Sequence, residues 1–399
     1  VSRRALLGGT TTAALGALVA DVSSSGTATR SRAVPFRGTH QSGIATPAQA
    51  CVVFCAFDVT ASRAALAALL RAWTDGAERM TLGEPIAPPT PSDEPATDTG
   101  EVEGLGPAGL TITFGMGPSL FDDRFGLRAR RPRALQDLPA FVGDELDPAR
   151  SGGDLCVQAC ADDLQVAFHA VRNLARLGLG TVELRWLQVG FSRTSSTSAA
   201  QSTPRNLLGF KDGTANLKSD ETTALDDFVW IGDESDQAWL RGGSILVARR
   251  IRLHLEAWAA IPLSAQQSAI GRRRTSGAPL TGRDELDPVD LHAHGPRGVP
   301  VIALDAHIRL AAPETNGGVR LLRRGYSFAD GLDPRTGELD AGLFFVCFQK
   351  DPLEQFARIQ RTLSERDALR TYLVHTSSAV FACPPGASAG GYVGEALFE

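Results

Sequence analysis

Beyond about residue 20 the sequence has no apolar run of the roughly 20 residues that a helix needs to cross a bilayer. It also lacks a surplus of positive charge: 40 Lys and Arg stand against 45 Asp and Glu, a formal charge of -5. That near-balance excludes general nucleic-acid binding, which needs a basic face, but leaves room for a local basic pocket. None of the six cysteines has the two-residue spacing with nearby histidines that a zinc site uses. Tyrosine is scarce at 3 and tryptophan at 5, so few aromatic side chains are spared for anything but core packing. What is present is ordinary: 43% hydrophobic and 21% charged residues, enough to bury a sizeable core. The length of 399 residues fits two domains of normal size or one large one.

Arg3 and Arg4 precede a mildly apolar stretch rich in Ala, Gly, Thr and Leu that ends near Ala20. The pattern reads as a twin-arginine export signal, since the stretch is short and weakly hydrophobic for a membrane anchor. Residues 21–45 read as cleavage zone and linker. The expected destination is the periplasm, the cell envelope or the extracellular space. This route carries folded proteins, which suits a chain that acquires a cofactor inside the cell. Cys51 and Cys55, like Cys156 and Cys160, lie four apart in apolar runs. Four residues of strand span about 13 Å, too far for either pair to bridge internally. Buried thiols are expected, with a cross-strand disulfide between the two pairs left open.

The hydrophobic pattern predicts strands over 51–59, 110–114, 154–160 and 181–191, and helices over 61–80 and 163–177. The order is β-α-β-β-α-β, the ferredoxin-like arrangement. Residues 85–104 form a polar loop and 192–203 a Ser/Thr-rich connector. A rougher copy follows: a strand over 243–255, a short helix over 262–270, a buried strand over 343–348, a helix over 352–363 opening on Pro352, and a last strand from Val380. The fold class is therefore α+β with two ferredoxin-like domains, 46–203 and 204–399, after the leader of 1–45. The second has an enlarged middle, where a cofactor pocket fits most easily.

Three positions stand out. Asp212 sits in the loop Gly209-Phe210-Lys211-Asp212-Gly213, although Asp-Gly alone marks a turn. Arg323 and Arg324 lie between apolar neighbours. Side chains alternate along an extended segment, so one arginine enters a pocket while the other meets solvent. His307 follows the apolar run 301–304 and precedes Arg309. A histidine nitrogen can bind haem iron while its other ring nitrogen is held by a carboxylate, for which Asp367 is the candidate. The alternative use of Asp367 is as a helix N-terminal residue. Near a bound peroxide, a carboxylate can move a proton between the two oxygens, and a cation stabilises the charge that develops.

Taken in order, these segments resemble the dye-decolourising peroxidases, in particular the exported bacterial branch that includes the deferrochelatase/peroxidases. The likeness runs from about residue 50 to the end. It rests on Thr203-Pro204-Arg205-Asn206 with the Asp212 loop, on Trp239 with Gly242-Gly243-Ser244, and on Gly271-Arg272 with Gly277-Ala278-Pro279-Leu280. It continues through His307-Ile308-Arg309-Leu310, Arg323-Arg324-Gly325-Tyr326-Ser327 and the run from Leu343 to Gln349. The resemblance implies one haem b per chain, bound mainly by the C-terminal domain. It places the iron ligand on His307, the acid on Asp212 and the distal arginine on Arg323, with Arg309 facing a haem propionate. Related chains often continue Leu-Ala-Asn-Pro-Arg after the histidine, whereas this one reads Leu310-Ala311-Ala312-Pro313-Glu314. A basic residue has become acidic, so haem-edge contacts are not carried over.

The expected function is reduction of hydrogen peroxide with one-electron oxidation of organic donors. A deferrochelatase that frees iron from haem for an iron-uptake system, and a haem carrier, are the alternatives. The resemblance leaves room for a homo-oligomer.

Overall fold

The computed structural model describes residues 32–193 and 202–399. The Arg3-Arg4 motif, residues 21–31 of the linker and most of the 192–203 connector lie outside the described residues. No described helix is long and apolar enough to cross a membrane.

The N-terminal half contains β1 (Cys51–Val59), α1 (Arg63–Thr81), β2 (Thr111–Met116), β3 (Leu155–Ala161), α2 (Leu164–Leu177) and β4 (Val182–Arg193). Each helix begins where a side chain accepts orphan backbone N–H groups: Ser62 from Ala65, and Asp163 from Gln165 and Val166. The strands pair antiparallel in the order β2-β3-β1-β4, the ferredoxin-like arrangement that the hydrophobic pattern predicts.

The C-terminal half adds α3 (Thr222–Phe228), β5 (Ser244–Leu253), α4 (Leu255–Ala259), α5 (Leu263–Ile270), α6 (His307–Leu310), β6 (Leu322–Arg323), β7 (Tyr326–Leu332), β8 (Leu339–Gln349), α7 (Phe356–Arg366) and β9 (Leu373–Cys383). Its main sheet runs β9-β5-β8-β7, the same order as the first half. One boundary differs from expectation. Pro352 does not open α7; it lies a turn earlier, where its carbonyl accepts from Ala357 N at 2.7 Å. The Gln355 side chain holds that turn by accepting from Lys350 and Asp351 N.

The two sheets are joined edge to edge. Phe191 pairs with Ser327 on one side and Met116 with Ala382 on the other, so the strands close into a ring. Period-two alternation then divides each strand between two environments. Val52, Phe54 and Ala56 of β1 and Leu246 and Ala248 of β5 point into the ring, where they share one core with Phe344, Phe381 and Tyr326. Val53, Cys55 and Phe57 point outward beneath α1 and α2.

This geometry decides against the disulfide left open above and corrects one expectation. Cys156 and Cys160 face the ring interior, whereas Cys55 faces the helices, so the two cysteine pairs occupy opposite faces of one sheet and cannot bridge. All six cysteines are free thiols. Arg324 does alternate with Arg323, but it does not meet solvent. Its other face is the ring interior, where it is 1% exposed and donates to Gln49 Oε1 at 2.6 Å and to the Thr46 carbonyl.

On the outward face of the second sheet, α7 covers one part. The rest of that face, with Ile251 and Leu253 of β5 and Leu343 and Phe345 of β8, lines a cavity.

Candidate active site

The loop carrying Asp212 is shaped by its own sequence. Gly209 and Gly213 adopt φ of 85° and 102°, which a side chain would strain. Asn206 Oδ1 accepts from Leu208 and Phe210 N, and Asp212 N donates to Pro204 O at 2.9 Å. Phe210 is buried against Trp258, whose Nε1 donates to Leu208 O at 3.0 Å. From the enlarged middle of the domain, Glu285 accepts from Thr214 Oγ1 at 3.0 Å and pairs with Lys211. Burial acts to raise the Glu285 pKa, but its hydrogen bonds, led by that from Lys211, outweigh it and hold it below the ordinary carboxylate value. Lys218, buried and donating to Gly213 O at 2.6 Å, has its pKa pushed down to about 8, first by burial and next by Arg323.

Asp212 and Arg323 meet directly: Arg323 Nη1 donates to Asp212 Oδ1 at 2.7 Å across 111 residues of sequence. Asn216, which sequence reasoning passed over, ties the two segments together. Its Nδ2 donates to Arg323 O at 2.7 Å, and its Oδ1 accepts from Arg323 N at 2.8 Å. The available signal was its place four residues after Asp212 in the same loop.

His307 opens α6. Its Nδ1 lies 2.6 Å from Asp367 Oδ2. Asp367 is 6% exposed, ends α7, and accepts from Leu369 N at 2.8 Å through its other oxygen, so it is held at both oxygens. It therefore serves in both ways that the sequence suggested, as the partner of His307 and as a helix-start residue. Burial alone would lower the His307 pKa; the Asp367 carboxylate outweighs it and the net shift is upward. A carboxylate at Nδ1 keeps the proton there and leaves Nε2 as the unshared ring nitrogen. The imidazole is 40% exposed, and it is part of the cavity wall.

Asp212, Arg323, His307 and Asp367 all line this one cavity of about 730 Å³. That volume falls in the range of about 300–1,000 Å³ typical of cofactor and ligand pockets. Arg309 is not on its wall. The Arg309 guanidinium donates to the carbonyls of Leu291, Ile302 and Ala303, so it pins the preceding loop instead of facing the cavity as expected. The N-terminal half contributes Val142 and Gly143 to the wall, next to Arg249 and His375.

The donor set fits a flat apolar macrocycle that brings most of its own metal ligands. The walls are largely aliphatic and aromatic, and one imidazole presents a free nitrogen. Among the described residues no three His, Cys, Asp or Glu side chains cluster to hold a bare ion.

Comparison with known proteins agrees. Residues 41–192 match the family model of the N-terminal part of Dyp-type peroxidases, and residues 203–388 that of the C-terminal part. A protein of Escherichia coli named deferrochelatase is 41% identical over 378 residues, covering 93% of this chain and 88% of that one. A crystal structure of a DyP-type peroxidase from Streptomyces coelicolor is 43% identical, with a TM-score of 0.85 over 93% of this chain and 98% of that one. An oxyferrous/water mixed complex of DtpA from Streptomyces lividans is 43% identical, with a TM-score of 0.86 and the same coverage of both chains.

Proposed function

The chain belongs to the Dyp-type peroxidase family and is a haem-dependent peroxidase, and on that footing we propose which of its residues do the work. His307 is the haem-iron ligand through Nε2, and Asp367 orients it. Asp212 and Arg323 handle the peroxide. The carrying observation is that these four side chains share one cavity, already paired two by two.

When bound, the haem supplies the redox-active iron at which peroxide is reduced and the one-electron chemistry is delivered. Arg323 shares Oδ1 of Asp212, which leaves Oδ2 to take the proton from one peroxide oxygen and return it to the other. The Arg323 guanidinium stabilises the negative charge that builds on the departing oxygen. Asn216 keeps that guanidinium in register with Asp212 by holding both polar atoms of its peptide. Asp367 holds the His307 proton on Nδ1 and makes the imidazole a stronger donor at Nε2.

The test combines spectra with rapid mixing. The purified chain supplemented with haem should show a Soret band, and His307→Ala should weaken it. Asp212→Asn and Arg323→Leu should keep the band but slow the reaction with hydrogen peroxide by about 10²–10³-fold. Unchanged peroxide rates in both variants would overturn the assignment.

A second reading, release of iron from haem with the porphyrin intact, is favoured by the relatives named deferrochelatase. Appearance of metal-free porphyrin fluorescence on incubation with haem would support it, and its absence under reducing conditions would count against it. Organic electron donors belong to the peroxidase reading and a link to iron uptake to the second one, while twin-arginine export, supported by Arg3 and Arg4, is compatible with both. We also propose the division of the chain near residue 203, after the connector.

A further inference from the structure

Arg249 occupies a position where the strand pattern calls for an apolar residue. It lies on the same face of β5 as Ile251 and Leu253, and all three line the cavity. Its side chain is 1% exposed. Nη2 is paired with Asp144 from the N-terminal half, and the guanidinium lies over the Phe141 ring, 5.4 Å from its centroid. Nε and Nη1 are buried and have no hydrogen-bond partner. His375 also lines this end of the cavity but adds no second positive charge: burial, with Arg249 next, pushes its pKa down to about 3, so it is neutral.

Anchoring the Asp144 loop accounts for Nη2 only. Two buried N–H groups on a cation are left without acceptors, which is costly unless something brings an acceptor to them. A carboxylate oxygen can accept a charge-assisted hydrogen bond from either of these donors. Haem b is an apolar disc with two carboxylate arms, and this end of its proposed cavity carries a fully buried cation with donors to spare. Arg323, by contrast, already spends its charge on Asp212.

We propose that Arg249 is a carboxylate-binding site, receiving a carboxylate brought into the cavity by its occupant. The inference rests on the haem reading above. A haem propionate and a free small organic acid share the required chemistry, and the experiment separates them.

The apoprotein is titrated with haem and with haem dimethyl ester, whose arms carry no charge, each with and without added acetate. Affinities are read from the Soret band. The wild type should bind haem about tenfold or more tightly than the diester, and Arg249→Leu should reduce that preference to near unity. Because Arg249→Leu removes a buried charge and can unfold, Arg249→Lys is measured beside it, with an intermediate preference expected. If acetate raises diester affinity in the wild type but not in the Arg249 variants, the site still takes a carboxylate, with the free acid as its source. An equal preference for haem over the diester in the wild type and both folded variants would overturn the inference while leaving haem binding intact. Failure of the wild type to bind haem at all would instead overturn the underlying reading, and the inference with it.

Discussion

Replacing Asn216 by leucine separates the peroxide-handling pair from its scaffold without touching either charge. In the structure Asn216 is 3% exposed and makes both hydrogen bonds to the Arg323 peptide, at 2.7 and 2.8 Å. Each such bond contributes about 1 kcal/mol net, and a peptide group left buried without a partner costs about 1–3 kcal/mol. The substitution should therefore destabilise the Arg323 segment by about 2–4 kcal/mol. The strand pairing here is short, because β6 is two residues long, with Leu322 and Arg323 opposite Phe348 and Cys347 of β8; beyond it the Arg324 side chain anchors the segment in the ring interior. A displacement of about 1 Å at a reacting group can cost on the order of a hundredfold in rate.

The expected outcome is a fall of about 10–100-fold in the second-order rate of reaction with hydrogen peroxide, measured by stopped flow. Haem affinity, read from a Soret titration, should change little, since Asn216 is not part of the cavity wall. Asn216→Asp keeps the acceptor for Arg323 N and loses the donor to Arg323 O, so its rate should fall in between. The reasoning fails if the leucine variant loads haem and reacts with peroxide at the wild-type rate. It also fails if haem affinity drops in proportion to the rate, because the residue would then be supporting the cavity as a whole.

Asp367→Asn should retain haem but raise its reduction potential in spectroelectrochemical titration, since the imidazole loses its anionic partner; an unchanged or lower potential contradicts the role given to Asp367. Lys218 has a folded-state pKa of about 8 against an ordinary value of 10.5, so folding opposes its charge. That penalty is complete below about 8 and fades as pH rises toward 10.5. Urea unfolding should show the stability of Lys218→Met, relative to wild type, falling across this window, and a pH-independent difference would count against burial as the cause. Arg324→Met should lower stability by about 2–4 kcal/mol, because it strips the donors from Gln49 and the Thr46 carbonyl, yet leave the haem spectrum unchanged. A shifted spectrum would place Arg324 at the cavity after all.

The N-terminal half was legible because its signals are local and long. β1 is nine residues of buried strand, and α1 and α2 carry helical periodicity over 19 and 14 residues. The second half was less so. The element bearing His307 is a helix of four residues and the one bearing Arg323 a strand of two, too short for any period to show. What holds them is bonding between distant positions, such as His307 to Asp367 across 60 residues. Such pairs could be guessed from chemistry and resemblance but not read from spacing. Arg309 shows the limit of that route. A basic residue two positions from the histidine suits a propionate, yet a short helix turns it back onto its own preceding carbonyls. Arg324 shows another. Alternation assigned it correctly to the face opposite Arg323, but only closure of the ring makes that face an interior.

Closure of the ring also bears on whether either half could carry the site alone. The second sheet meets the first along both edges, through β4 with β7 and β2 with β9. The loop after the second strand crosses to the cavity and is stitched to β9 by Glu145 N to His375 O at 3.0 Å and Asp147 N to Thr376 O at 2.9 Å. Asp144 on that loop is the counter-charge of Arg249. Without it the C-terminal half would keep His307, Asp212 and Arg323, but would expose the ring interior and leave a buried cation unpaired. The residues assigned to peroxide chemistry all lie in one half, whereas the cavity that holds them needs both. The N-terminal half is thus a structural part of the site, and the two ferredoxin-like units share one closed ring of strands.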